Sequence, residues 1–287
     1  MIYLYMKKSL NLVLLLLFCN FSAFAQNSNN DFIGYNIGLG SLVGGIGAVI
    51  NKNPGDKWGK VLLKGMWQGA LGGALVHQSK VLVGKIGTGN SFAYSWYGKF
   101  TNAAGNSIIE NAAMNRNFYD QFNLNIGFNR IELHTRDQLK VKYKIMPVSV
   151  LIAGYLATKS KFEVEKTLQT GEVIFSSSRF KTDLDFNGFT VGNIVVMESS
   201  DVKSKSTYAH EFIHVYQYYD FNFVNSFINK PINKIGFINR TSKYLYYDLQ
   251  TPVLQALYSL EYEGTRERYY DNFFEREAGI FSNTIPE

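Results

Sequence analysis

The hydrophobic rhythm of the chain changes along its length, and each change predicts a different kind of element. An apolar run from Leu10 to Cys19 lies between Lys7-Lys8 and Ala23-Phe24-Ala25. That is the layout of an export signal over residues 1–25, cleaved after small residues, so the mature chain is expected to begin near Gln26. From Phe32 to Ile50 the sequence FIGYNIGLGSLVGGIGAVI carries no charge, with Gly34 and Gly38, then Gly40 and Gly44, four residues apart. About 19 residues of helix just reach across a bilayer, and glycines on one face admit a second helix closely. The segment is therefore either a membrane span or one arm of a glycine-rich helical hairpin. After the turn Asn53-Pro54-Gly55-Asp56, a second glycine-rich stretch runs from Trp58 to about Gly87, interrupted by Lys60, Lys64, Lys80 and Lys85. The gap from Lys64 to Lys80 is short for a span and suits a buried or interfacial helix packed on the first segment. His77, alone on this stretch, reads as a packed histidine.

From Phe118 to Met197 the period drops to two. Phe122 to His134, Leu139 to Met146, Phe162 to Leu168 and Glu172 to Ser176 read as antiparallel strands, the last two joined by a hairpin at Thr170-Gly171. His134 falls on one of them as a surface residue. Pro147 to Thr158 is a buried strand or a short helix, and Gly188 to Met197 is a last strand, positioned to serve as an exposed edge along a cleft. The C-terminal part returns to helix, over Asn225 to Asn239 with a break at Pro231, and over Pro252 to about Ser282 as one long helix or two. The charges from Glu261 to Glu277 are expected mostly on a solvated face.

Between strands and C-terminal helices stands His210-Glu211-Phe212-Ile213-His214. Four-residue spacing on a helix turns both imidazoles to one side, where they can hold one zinc ion, and Glu211 can take a proton from a water without itself being a ligand. Ser204, Ser206 and Thr207 offer helix N-caps just upstream, and Phe212, Val215, Tyr216 and Tyr219 give the helix an apolar face. The chain has four histidines, and none follows His214. A catalytic zinc takes three protein ligands, so the third donor is expected to be a carboxylate, best placed within Glu275-Arg276-Glu277-Ala278-Gly279.

Composition narrows the rest. The one cysteine, Cys19, leaves with the signal, so no disulfide is expected. Phe18 before it is too bulky for a lipid-attachment site. Removing Lys7 and Lys8 from the 29 basic residues leaves a mild excess over 23 acidic ones, scattered rather than clustered, which argues against nucleic acid as a partner.

HEFIHVYQ (His210 to Gln217) and EREAG (Glu275 to Gly279), preceded by the GNIVVM strand, resemble the gluzincin metallopeptidases, in particular a bacterial group with HExxHxxQ followed by ExxA(D). The resemblance covers roughly residues 188 to 287 and is carried by the motif positions. It implies zinc held by His210, His214 and Glu275, with Glu211 as general base; a shifted register would make Glu277 the third ligand. Gln217 belongs to the pattern in a packing or supporting role. Where the family commonly has an aspartate orienting a metal-bound histidine, this chain has Gly279.

The expectation is an α+β, zincin-like fold: a mostly antiparallel sheet, the zinc helix and C-terminal helices over 118–287, preceded by a glycine-rich helical segment over 26–117 for which membrane association through Phe32 to Ile50 is one of the two expectations. The expected function is an exported zinc-dependent peptidase in the periplasm, the envelope or the medium, acting on peptide or protein substrates. The alternative is an envelope protein whose zincin-like domain serves binding or structure with little peptidase activity.

Overall fold

The computed structural model describes residues 29–178, 187–265 and 269–285. The expected export signal lies outside the described residues. The fold is α+β, with helices dominant and two small sheets.

Three long helices open it: α1 (Asn29–Ile50), α2 (Trp58–Thr88) and α3 (Ala93–Ala113). The first two form a tight hairpin because their facing residues lack side chains. A Cβ on Gly40 would stand 2.3 Å from the Gly69 carbonyl oxygen, and one on Gly44 the same distance from that of Gly65, closer than real Cβ contacts come. By length and composition alone, Asp31–Ile50 is also apolar enough to cross a membrane. His77 is buried with its ring against Phe281.

The period-two region becomes two sheets rather than one. Strands β1 (Gln121–Ile126), β2 (Asn129–His134) and β3 (Lys140–Ile145) form an antiparallel meander in register Leu124↔Ile131↔Tyr143. Its alternation is inverted from the usual sense: Ile131, Val141 and Tyr143 face out, while Arg130 and Glu132 are buried with Glu110 of α3. His134 is half-buried, its Nε2 3.4 Å from Glu132. Helix α4 (Pro147–Ala157) resolves the ambiguous apolar run: Pro147 opens it, and Asp248 accepts hydrogen bonds from the backbone amides of Val148 and Ser149.

The second sheet has the order β4-β5-β7-β6, from β4 (Lys161–Phe162), β5 (Val173–Ser177), β6 (Gly188–Val191) and β7 (Ile194–Glu198). β5 and β7 run parallel and the other pairs antiparallel, so the expectation of a mostly antiparallel arrangement holds for the meander but not for the centre of this sheet. The expected hairpin at Thr170-Gly171 is instead the end of helix α5 (Val164–Thr170). Gly171 has φ +75°, and a left-handed glycine closes a helix as readily as it turns a hairpin. Gln169 donating to Glu165 one turn earlier tips the segment to helix. The expected single strand from Gly188 to Met197 is the β6–β7 hairpin, with Gly192 at φ +63° in its turn.

Then come α6 (Lys205–Asp220), α7 (Phe223–Ile232), α8 (Gly236–Thr241), α9 (Gln250–Thr265) and α10 (Phe273–Ser282). The expected break at Pro231 falls at the last turn of α7. α6 is buried on nearly every side from Tyr208 to Tyr219. Around it Phe32 of α1, Val83 and Ile86 of α2, Met197 of β7, and Ala278 and Phe281 of α10 close one hydrophobic core, which holds the motif helix rigidly between the glycine-rich helices and the second sheet.

Candidate metal centre

Two capped helices carry the site. The Ser204 hydroxyl accepts from the Thr207 amide at the start of α6, and the Asn272 side chain accepts from the Phe274 and Glu275 amides at the start of α10. Ala278 and Phe281 dock α10 in the core beside α6, and Glu275 on its first turn then faces the two histidines.

His210 Nε2 lies 3.1 Å from Glu275 Oε2 and 3.2 Å from His214 Nε2, and His214 Nε2 lies 3.3 Å from the same Glu275 oxygen. A tetrahedral zinc with bonds of about 2.0–2.1 Å separates its ligands by about 3.3–3.4 Å. The three atoms thus already form a triangle close to one face of such a tetrahedron, and their donor set of two imidazoles and a carboxylate suits zinc. The remaining polar atoms of these residues are engaged. His210 Nδ1 is 3.1 Å from Thr284 Oγ1, His214 Nδ1 is 2.8 Å from Gln217 Oε1, and Glu275 Oε1 accepts from the Tyr258 hydroxyl at 2.5 Å.

Electrostatics follow from this crowding. Burial pushes the His214 pKa down, but Glu275 outweighs it and lifts it to about 9. Burial pushes the Glu275 carboxyl up, and the neighbouring imidazoles more than reverse that, holding it far below the usual carboxylate range. Glu211, also buried, is displaced upward by desolvation despite the opposing pull of both histidines. Its Oε2 accepts from the Thr190 hydroxyl at 2.7 Å. Glycine at 188 makes room for it, because a Cβ there would stand 3.1 Å from Glu211 Cγ.

A cavity of about 290 Å³ opens over Glu211, His214 and Glu275, walled by β6 on one side and by Tyr258, Tyr262, Tyr269 and Phe274 on the other. β6 is the last strand of its sheet. Burial first, then the Glu275 charge, raises the pKa of both Tyr258 and Tyr269, so both hydroxyls are donors at neutral pH.

The structure thus brings His210, Glu211, His214 and Glu275 into one site and places Glu277 elsewhere. Glu277 Oε1 accepts from Lys80 at 2.8 Å and its Oε2 from Gln217 Nε2 at 2.9 Å. Both carboxylates are buried rather than on the solvated face expected for this run of charges. Gly279 leaves no room for the aspartate of the family pattern: a Cβ there would meet Ile285 at 2.5 Å and Tyr270 at 2.7 Å.

Sequence reasoning missed Thr190, Tyr258, Thr284 and Lys80. A single charge inside an apolar run was the available signal for Lys80, because such a lysine needs a buried counter-charge. Tyr258 had none among 19 tyrosines. Comparison with protein-family models, with curated proteins and with solved structures finds no match for this chain.

Proposed function

We propose that this chain is an exported zinc-dependent peptidase of the gluzincin type, acting in the periplasm, envelope or medium. The observation that carries the reading is the triangle of His210 Nε2, His214 Nε2 and Glu275 Oε2 beneath a cavity that also contains the Glu211 carboxylate. His210, His214 and Glu275 would hold the ion, with Glu277 excluded by its bonds to Lys80 and Gln217. When bound, zinc supplies Lewis acidity toward a water and toward a peptide carbonyl.

The protein's own groups do the rest. Glu211, its Oε2 anchored by Thr190, takes a proton from the attacking water and returns it to the leaving amine nitrogen. Its raised pKa suits both halves of that exchange at neutral pH. β6 forms one wall along which an extended peptide can lie across the site, and the aromatic wall excludes water from the opposite side. Tyr262 is the wall hydroxyl we assign to a developing oxyanion, since Tyr258 and Tyr269 are both turned to Glu275.

The competing reading, a binding or structural envelope protein, drew its support from the glycine at 279. With Thr284 on one imidazole and Gln217 on the other, that argument loses its ground. The test is hydrolysis of unfolded casein by the purified mature chain. Glu211→Gln is expected to keep zinc and to lose about 10²–10⁴-fold in rate. Equal rates in the two proteins would remove Glu211 from the chemistry.

A further inference from the structure

Gln217 touches the centre at one end and the fully buried Lys80–Glu277 ion pair at the other. One edge of its amide faces two acceptors: Nε2 is 2.9 Å from the Phe274 carbonyl oxygen and 2.9 Å from Glu277 Oε2. Neither can donate a hydrogen bond to an amide oxygen, so that edge must be the NH2. The opposite edge, the oxygen, then points at His214 Nδ1, 2.8 Å away. An oxygen only accepts, so His214 carries a hydrogen on Nδ1, and once the ring is neutral its lone pair lies on Nε2.

The orientation of Glu277 is fixed in turn. Its other oxygen receives Lys80 Nζ, and Lys80 spends its remaining hydrogens on Asp220 Oδ2 at 2.6 Å and Asn36 Oδ1 at 3.1 Å. Lys80 is fully buried, and its three donors meet three acceptors. Asn36 belongs to α1 and Lys80 to α2, so the chain of bonds begins in the glycine-rich hairpin and ends at a ring of the motif helix.

We propose that Lys80, Glu277 and Gln217 form a positioning relay that sets the tautomer of His214, and so presents its Nε2 to a metal. The proposal rests on the zinc reading above. It assigns a role to the glutamine of HExxHxxQ, and it gives the glycine-rich hairpin a part in the centre that its sequence does not announce. A neutral amide here orients the ring without adding a carboxylate to a pocket that already buries Glu211 and Glu275.

Glu277→Gln makes the relay testable at nearly constant volume. Lys80 can only donate, so it keeps the oxygen of the new amide and turns the NH2 toward position 217. Gln217 is then left either with its NH2 against another NH2 or, if it inverts, with its oxygen against the Phe274 carbonyl oxygen and its NH2 toward His214, and in both cases its hold on the ring is weakened. Lys80→Met would strand Asp220 in the core, and Glu277→Gln avoids that. Gln217→Met is the second variant, removing both bonds.

The measurements are zinc affinity of the purified mature chain by competition with a chromophoric chelator, and the visible spectrum of the cobalt-loaded protein. Melting curves identify the folded variants. Each single variant is expected to weaken zinc about 10–100-fold and to shift the cobalt bands. The double variant should be no weaker than the weaker single one, because both break one chain. Wild-type affinity and spectrum in folded Glu277→Gln, or losses that simply add, would overturn the relay. A wild-type protein that takes up no zinc, indistinguishable from His210→Ala, would overturn the metal reading itself and the relay with it; that outcome is visible before any relay variant is compared.

Discussion

Beside the buried Lys99–Glu172 pair, two larger clusters of buried charge among the described residues differ in where they lead. Lys80, Asp220 and Glu277 are sealed between α2, α6 and α10, at no more than 5% side-chain exposure. Arg130, Glu110 and Glu132 tie the meander to α3, with Arg116 and Lys144 at their border and a polar cavity of about 210 Å³ beside them. Each satisfies its own charges. The first continues through Gln217 to a histidine of the centre, whereas the second runs to the protein surface. Buried charge by itself therefore says little about function, since any buried ion needs partners. The path its hydrogen bonds take is what distinguishes a supporting network from a structural one.

Removing the central cation of each cluster should separate the two most strongly. Lys80→Met leaves Asp220 and Glu277 uncompensated and is expected to lose about 3–5 kcal/mol by chemical denaturation, whereas Arg130→Met leaves Glu110 beside Arg116 and Glu132 beside Lys144 and should lose less. Only Lys80→Met should also weaken zinc in whatever fraction stays folded. A zinc affinity altered by Arg130→Met would erase the distinction.

Acid should act on the second cluster in a defined window. Burial pushes the Glu132 carboxyl up, but Arg130 and then Lys144 outweigh it and hold it at about 2, against 4.5 in the unfolded chain. A depressed carboxyl contributes stability above its unfolded pKa and loses it as pH falls through the folded one, here about 3 kcal/mol between pH of about 4.5 and 2. Denaturation at several pH values, wild type against Glu132→Gln, should show that difference closing over this range; a constant difference would contradict it.

At the centre the sign is opposite, because His214 has its pKa raised to about 9 by Glu275. Below that pH the metal-free ring carries an extra proton, which zinc must displace. Calorimetric titration at pH 7 in buffers of different ionisation enthalpy should find about one proton released per zinc. No release would mean that the ring is already neutral. The smallest expected effect is that of Tyr258→Phe, which removes one bond to Glu275 Oε1 and should cost about 1–2 kcal/mol of zinc binding with the ligand triangle intact.

Much of this was legible in the chain, in the places where a local rule governs. The i, i+4 histidines, the Ser204 cap and the glycine spacing of α1 and α2 are each set by neighbours along one helix, and the helices formed as expected. The failures came where one local signal serves two structures. Gly171 closes a helix and Gly192 turns a hairpin, both at positive φ, and the residues alone did not separate the two. The meander shows a further limit: its period of two was readable, but which face is buried depends on Glu110, a residue of another element. The relay is the least legible part, because Asn36, Lys80, Gln217 and Glu277 meet only after three stretches of chain have packed together.

The most direct test of the whole account is elemental analysis of the purified mature chain beside Glu275→Ala and Arg130→Met. One zinc per chain, lost from Glu275→Ala and kept by folded Arg130→Met, is the predicted result. No zinc in the wild type, or full zinc in Glu275→Ala, would contradict the assignment of His210, His214 and Glu275 as the metal centre.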